Sequence, residues 1–310
     1  MLRAFGEEHM EPVNTREHPN NIYGMHDYTL ESAQGGDSFN QIIAAAFGEP
    51  ADAKEFAELA QFVNYNGYRA IFEGRSEHRR GMILWMSHPS WPSMVWQTYD
   101  YYFEPTGSYF GCKKACEPIH IQWNPLRDDV EVVNYHTKDW TGLVAKAWVV
   151  DQNGKVQWEH EVSFDIHDDE TVACFPLEFP ESLTDTYFIK LVLCNGEEVL
   201  SDNFYFKGKV DGSFQSLRSL PKVSLTTAFE TKRDGDDWVI TGTVKNDTDT
   251  PALLIRLKLE GTTDLILPVF YSDNYFSLLP GEEKAVTVRF KNEDTRGEKP
   301  SLTLSGFNVN

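Results

Sequence analysis

From about residue 119 to the C terminus, apolar and polar residues alternate with a period of two, in short runs that stop at turn clusters. A period of two sends successive side chains to opposite faces. Each run can therefore bury one face, and the runs must pack sheet on sheet. Val130–Tyr135, Leu143–Val150 and Lys155–Phe164 read as strands, the last two joined by the turn cluster Asp151-Gln-Asn-Gly154. Tyr187–Leu193 and Glu197–Phe206 flank Asn195-Gly196, a two-residue hairpin signal. This spacing predicts about seven strands in roughly 90 residues, an immunoglobulin-like sandwich. Lys207–Pro221, with three Gly/Pro positions and several Ser, reads as a linker. The pattern then repeats through Val223–Phe229, Trp238–Val244, Leu253–Leu259, Leu265–Tyr271, Ala285–Phe290 and Leu302–Phe307, which predicts a second sandwich.

The first third follows another logic. Residues 1–40 are rich in Pro, Gly and Asn and read as loop. Ala53–Phe72 carries Phe56, Leu59, Ala60, Val63, Ala70 and Ile71 at helical spacing, with Pro50 and Asp52 as a start signal and Gly74 as a stop. Gly81–Met86 is a short, continuously apolar run, the pattern of a strand buried on both faces. One such strand cannot form a sheet alone, so residues 1–116 are predicted to be an incomplete domain. The expected organisation is 1–116, then sandwiches over 117–210 and 221–310.

The charge excludes some functions. With 28 basic and 48 acidic side chains, the net charge of −20 repels phosphate backbones, which argues against nucleic acid as a partner. The longest apolar runs, such as Ile42–Phe47, are too short to span a membrane. Met1-Leu2-Arg3 leads into an acidic stretch rather than the apolar core of a signal peptide. Four Cys are too few for a disulfide scaffold. Cys112, Cys116 and His120 are spaced to share a helix face, but Pro118 interrupts that helix and no fourth ligand is evident, so no metal or cofactor is expected.

Aromatic residues make up 13% of the chain, and the densest aromatic segment is Trp85–Tyr102. Placed at the end of a barrel strand, its residues point into an active-site mouth. Trp85, Trp91 and Trp96 are candidates for a platform that stacks on sugar rings, with His88 and Asp100 as polar contacts. The alternative is that these rings only seal the barrel end. His26 with Asp27, in Gly24-Met-His-Asp-Tyr28, are candidates to bind a substrate hydroxyl, or else to tie down a long loop. A retaining glycosidase needs two carboxyls about 5–5.5 Å apart. Glu7, Glu8, Glu31, Glu49 and Glu73 are available, yet none ends an apolar strand. Asp234-Gly-Asp-Asp237 resembles part of a calcium loop but lacks the remaining ligands, and reads better as a hairpin turn. Asn246-Asp-Thr248 is a glycosylation sequon by pattern.

Several long motifs resemble glycoside hydrolase family 2, in its exo-β-glucosaminidase and β-mannosidase-like branch. They are Ala60-Gln-Phe-Val-Asn-Tyr-Asn-Gly-Tyr-Arg69, Trp91–Tyr102, Tyr109–Pro118 and His120-Ile-Gln-Trp123, with Gly24–Tyr28, Gln34-Gly-Gly36 and Phe270–Gly281. The resemblance implies a (β/α)8 barrel followed by sandwiches, with Ala53–Phe72 as the penultimate barrel helix and Gly81–Met86 as strand eight. It places Met1 just past strand seven, so the two catalytic Glu of such enzymes would lie upstream. Where relatives often carry an Asn before the Trp-Pro, this chain has Ser87-His-Pro-Ser90, which leaves the sugar open.

The expected fold is thus mainly β: two immunoglobulin-like sandwiches after an incomplete C-terminal segment of a barrel. The resemblance implies hydrolysis of β-linked glycosides with retention, a β-linked oligosaccharide or polysaccharide as ligand, and no activity in this chain alone. An unpaired barrel edge predicts self-association. Two other readings are a non-catalytic carbohydrate-binding module and an extracellular interaction protein of immunoglobulin-like repeats. The sequence does not give the compartment; a signal peptide on the full-length protein would make it periplasmic or extracellular.

Overall fold

The computed structural model describes residues 2–32, 35–74, 81–95 and 97–310. The chain forms two compact units. One comprises residues 66–83 and 111–219. The other comprises 1–65, 84–110 and 220–310.

The first of these units is a sandwich of two antiparallel sheets. Strands β1 (Ile119–Asn124), β2 (Asp129–Asn134) and β5 (Glu170–Pro176) form one sheet. Strands β4 (Val156–Ile166), β3 (Trp140–Asp151), β6 (Thr186–Asn195) and β7 (Glu198–Gly208) form the other, in that order. Ile121, Val130, Val132, Leu143, Ala145, Ala147, Ile189, Leu191 and Leu193 fill the space between them. The predicted turns form for the expected reasons. Asp151 accepts from the backbone of Asn153 and Lys155, and Gly196 takes φ 60° in the two-residue link from β6 to β7. Periodicity did not single out β1 and β5. In β1 the alternate residues His120, Gln122 and Asn124 are polar yet buried, and in β5 the apolar face is short.

The second unit joins helices to the other sandwich. Its sheets are β11 (Phe270–Tyr271), β13 (Glu283–Lys291), β9 (Asp237–Lys245) and β8 (Thr226–Asp234), facing β12 (Phe276–Leu278), β10 (Ala252–Glu260) and β14 (Ser301–Ser305). The Asp234–Asp237 turn is a hairpin, and the Arg289 guanidinium bridges both of those carboxylates at 3.0 and 3.1 Å. The helices are α1 (Leu2–Phe5), α2 (Asn21–Met25), α3 (Gly36–Phe47), α4 (Ala53–Glu73) and α5 (Gly107–Ala115); the last two run on into the other unit. Two helices and the start of a third therefore lie in the stretch read as loop. At the start of α4, Asp52 accepts from the Glu55 amide at 2.7 Å while Glu55 reaches back to the Ala51 amide at 2.6 Å, a capping box. Among the described residues, no helix is long and apolar enough to cross a membrane.

Helices and sandwich share one core here. Phe47 and Phe62 meet edge to face at 4.9 Å, and both rings meet Phe307 at about the 6 Å typical of aromatic pairs. Tyr275 stacks with Tyr65 and meets Phe110 at a tilt, and its hydroxyl donates to Gln61. Ion pairs Arg3–Asp264 and Arg256–Glu104 close the rim. The helical segment thus packs on the last sandwich within this unit. Gly81–Met86, by contrast, is not a strand. It pairs with no described strand, and Ile83 and Trp85 are 95% and 80% exposed. A buried strand needs a ladder partner for its amides, and none of the described strands runs beside it.

Both sandwiches turn the same corner with an asparagine. Asn134 is fully buried at the end of β2; its amide donates to the carbonyls of Lys138 and His167, and its oxygen accepts from the His136 amide. Asn246, fully buried just after β9, donates to the carbonyls of Thr250 and Leu278 and accepts from the Thr248 amide. Each satisfies three backbone groups that burial would otherwise strand. Asn134→Ala and Asn246→Ala should each lower unfolding stability by about 2 kcal/mol, read from urea denaturation. A change under about 0.5 kcal/mol would mean the corners hold without them.

Candidate functional site

Residues 84–110 carry the aromatic surface. Their path is set by a tight turn at Asp100–Glu104. The Asp100 carboxylate accepts from the amides of Tyr102 and Glu104, both at 2.9 Å, and Phe103 takes φ 68°. Burial pushes the Asp100 carboxyl up, partly offset by those backbone bonds and reinforced by nearby Glu104. The two arms of the segment are tied by Thr98, which donates to the Ser87 carbonyl, and by Thr106, which donates to the Thr98 carbonyl. Asp100, expected as a ligand contact, is therefore the anchor of the turn.

On this frame His88 lies against three rings. It is almost parallel to Phe103 at 4.7 Å and to Tyr101 at 6.3 Å, and tilted against Tyr99 at 5.3 Å. Its Nε2 lies 3.3 Å from the Tyr101 carbonyl, an oxygen that can only accept, so Nε2 carries a hydrogen. Tyr101 and Phe103 are 41% and 53% exposed, and Trp85 and Trp91 are 80% and 53% exposed. Trp96 lies outside the described residues. The stack of His88 with Tyr101 and Phe103 was missed from the sequence. Its signal, an aromatic run on both sides of an Asp turn, is present but looks the same as core.

The second predicted cluster comes to the same place. His26 Nδ1 donates to the Pro92 carbonyl at 2.6 Å, and its own carbonyl accepts from the Met94 amide at 2.9 Å. Phe5 covers the imidazole at 5.0 Å. His26 therefore fastens the loop that carries Trp91. Asp27 follows in the left-handed region at φ 67°, half-buried, and its backbone forms a turn with Gly24 and Thr29. Flat exposed rings with hydrogen-bonding groups at their edges can hold a sugar by stacking and by hydroxyl contacts. The only carboxylates between residues 84 and 110 are Asp100 and Glu104, held by the turn and by Arg256.

Another polar cluster is buried in the other unit. Glu73, at the end of α4, accepts from His120 Nε2 at 3.1 Å, from the Asn203 amide at 2.9 Å and from the Tyr205 hydroxyl at 2.8 Å. His120 Nδ1 donates to Glu117 at 3.0 Å, and the Ser201 hydroxyl donates to the same carboxylate oxygen at 2.6 Å. Arg69 lies over the Tyr205 ring at 4.0 Å and donates to Asn203, Asn66 and the Phe204 carbonyl. Burial alone would push the Glu73 carboxyl up. Hydrogen bonding to His120 and the Arg69 charge outweigh it and hold the carboxyl below its ordinary value. Burial likewise disfavours the His120 cation, but bonds to Glu117 and Glu73 outweigh it and raise its pKa. Both ring nitrogens of His120 are spent on carboxylates. Burial pushes the Cys112 thiol up to about 12. Among the described residues no three His, Cys, Asp or Glu side chains converge on a metal position.

Known proteins place these features in a lineage. Residues 203–309 match the exo-β-D-glucosaminidase Ig-fold domain. The exo-β-D-glucosaminidase of Streptomyces avermitilis is 30% identical over 305 residues, which cover 87% of this chain and 34% of that protein. The crystal structure of the Amycolatopsis orientalis exo-chitosanase superposes with a TM-score of 0.84 at 26% identity, over 90% of this chain and 37% of that one. A β-D-mannosidase from Dictyoglomus thermophilum shares the fold, with a TM-score of 0.75 at 20% identity, over 98% of this chain and 35% of that one. The chain spans about a third of the length of the curated relatives it matches, as their 34% and 29% coverage gives.

Two variants test the geometry. Asp100→Ala should destabilise the chain by about 1–2 kcal/mol by freeing two turn amides, with Asp100→Asn recovering much of it. Glu73→Gln should cost about 3 kcal/mol or more, because it leaves Arg69 and His120 without their shared anion. Chemical denaturation checks both, and a loss below about 1 kcal/mol for Glu73→Gln would mean the network is not coupled to folding.

Proposed function

We propose that this chain, homologous over nearly its whole length to the C-terminal part of glycoside hydrolase family 2 exo-β-D-glucosaminidases and β-mannosidases, is the accessory portion of a retaining β-glycosidase and presents an aromatic sugar-binding edge. The observation that carries this reading is the superposition of 90% of the chain on an exo-chitosanase. Within that frame Trp85, Trp91, Tyr101 and Phe103 expose their faces, as rings that pack against a saccharide do. His88 belongs to the same surface, His26 with Asp27 position it, and Trp96, outside the described residues, stays a candidate from the sequence alone. The ligand is a β-linked glucosamine or mannose oligosaccharide.

The same reading makes the chain by itself inactive. A retaining mechanism needs an acid and a nucleophile about 5–5.5 Å apart. Beside the aromatic surface both carboxylates already have structural work, as anchor and as ion-pair partner. The last sandwich shares its core with α4 and pairs its Arg256 with Glu104 of the aromatic segment, so its role is to support that edge.

The purified chain should show no turnover of aryl β-glucosaminide or aryl β-mannoside. It should bind β-linked oligosaccharides weakly, and Trp91→Ala and Trp85→Ala should each weaken binding about tenfold by calorimetry or affinity electrophoresis. Robust turnover would overturn the accessory role, and binding indifferent to both substitutions would remove the aromatic edge as the ligand surface.

A further inference from the structure

The buried cluster around His120 is a heavily hydrogen-bonded group of charges that the proposed sugar contacts do not use. His120 is 1% exposed and lies between two carboxylates, Glu73 Oε1 at 3.1 Å and Glu117 Oε2 at 3.0 Å. Glu73 sits on the last turn of α4, Glu117 follows α5, and His120 is the second residue of β1. The ring therefore joins a helix end to the first strand of the sandwich through an anion on each side. We propose that His120 is a protonation-controlled clasp: as an imidazolium it holds the Arg69–Glu73 turn of α4 onto β1 and β7, and as a neutral ring it lets that turn open.

The proton bookkeeping follows from the geometry. Both partners are carboxylates, which can only accept while ionised. Holding both bonds therefore requires N–H at Nδ1 and at Nε2, which is the cationic ring. Loss of one proton leaves a ring nitrogen lone pair facing a carboxylate oxygen, with the bond gone and repulsion in its place. The groups around the ring are Arg69 and Glu73 from α4, Lys114 from α5, Glu117 from the turn after it, and Asp202 and Tyr205 from β7. Glu131 of β2 lies one step further, bonded to Gln122. Lys114 bridges Glu117 and Asp202 at 2.9 and 3.0 Å, so Glu117 keeps a cation when His120 loses its own. Glu73 keeps Arg69 at 4.0 Å. The opening is accordingly local and leaves the sandwich folded.

The sign is fixed by the direction of the shift. A histidine raised above its ordinary 6.5 by its partners contributes stability that is complete below 6.5 and is lost as pH rises through the folded value. Glu73, lowered from 4.5, works at the other end: its contribution is present above 4.5 and is lost as pH falls through its folded value. The clasp is closed between those limits.

Hydrogen exchange on the full chain tests this. Protection factors of the amides at 69–73, corrected for intrinsic exchange, should fall about tenfold as pH rises from 6.5 through the folded value of His120, while the amides of β3 and β6 hold theirs. In Glu117→Gln, whose folding is checked by near-ultraviolet circular dichroism, one anion is gone, and the midpoint of that fall should move to lower pH. His120→Gln should abolish the pH dependence. Protection at 69–73 that stays flat from about pH 6 up to the pH at which β3 and β6 lose theirs would overturn the clasp. So would a midpoint that does not move in Glu117→Gln, because a merely structural histidine would not shift it.

Discussion

A buried carboxylate must be answered from several directions at once, and Glu73 sets that demand for its unit. It is 8% exposed, and one carboxylate cannot be buried without charge and hydrogen bonds to replace water. Arg69 supplies charge from the preceding turn of α4, His120 from β1, and Asn203 and Tyr205 supply donors from β7. These contacts fix the register of the helix end against two strands from different sheets. Apolar packing at the same place would tolerate sliding; a carboxylate with four partners does not. The polar face of β1 is buried for the same kind of reason: His120 answers Glu73, while Gln122 and Asn124 answer a second buried carboxylate, Glu131.

The legible parts of the fold are those where one local rule decides. The Ala53–Glu73 helix was readable because its apolar spacing, its Asp52 cap and its Gly74 stop agree. The Asn195-Gly196 hairpin was readable because two residues must turn the chain. Strand β1 was obscured because tertiary partners, not alternation, bury His120 and Gln122. Helix α3 was hidden behind Gly35, which takes φ 65° at its start and reads as loop. Gly81–Met86 misled because an apolar run looks like a buried strand whether or not a sheet is present to receive it. Sugar-contact candidates were named from the aromatic density of Trp85–Tyr102 and from the His26-Asp27 pair. The structure gives Trp85 and Trp91 open faces, sets His88 among rings and His26 under the loop, and leaves Asp27 in a turn. Tyr101 and Phe103 could not be singled out, because exposure is decided by the Asp100 turn rather than by the rings themselves.

The helices of the second unit have no sheet of their own to cover. Their rings instead meet the sandwich of residues 220–310, through Phe307 and Tyr275. A helix pair and a β-sandwich distant in sequence thus depend on one apolar layer, with two ion pairs at its rim. Substitutions deep in the last sandwich should accordingly be felt at the aromatic edge more than at the turns between strands, since packed layers transmit strain.

The asparagine corner after β9 has a consequence for how its own sequence is read. Asn246-Asp-Thr248 has the form of an acceptor for N-linked sugar, a pattern usually taken as an address for the secretory route. Here the pattern has another author in hydrogen-bond geometry. The Thr248 hydroxyl donates to the Asn246 oxygen at 2.7 Å and the Asn246 nitrogen spends both hydrogens on backbone carbonyls. The corner itself therefore asks for the Asn, and Thr248 adds a hydroxyl donor that His136 does not supply at the Asn134 corner. A glycan on that nitrogen would remove one of its two donors and have no room, because the side chain is sealed from solvent. The asparagine of the tripeptide is thus accounted for by the corner it holds.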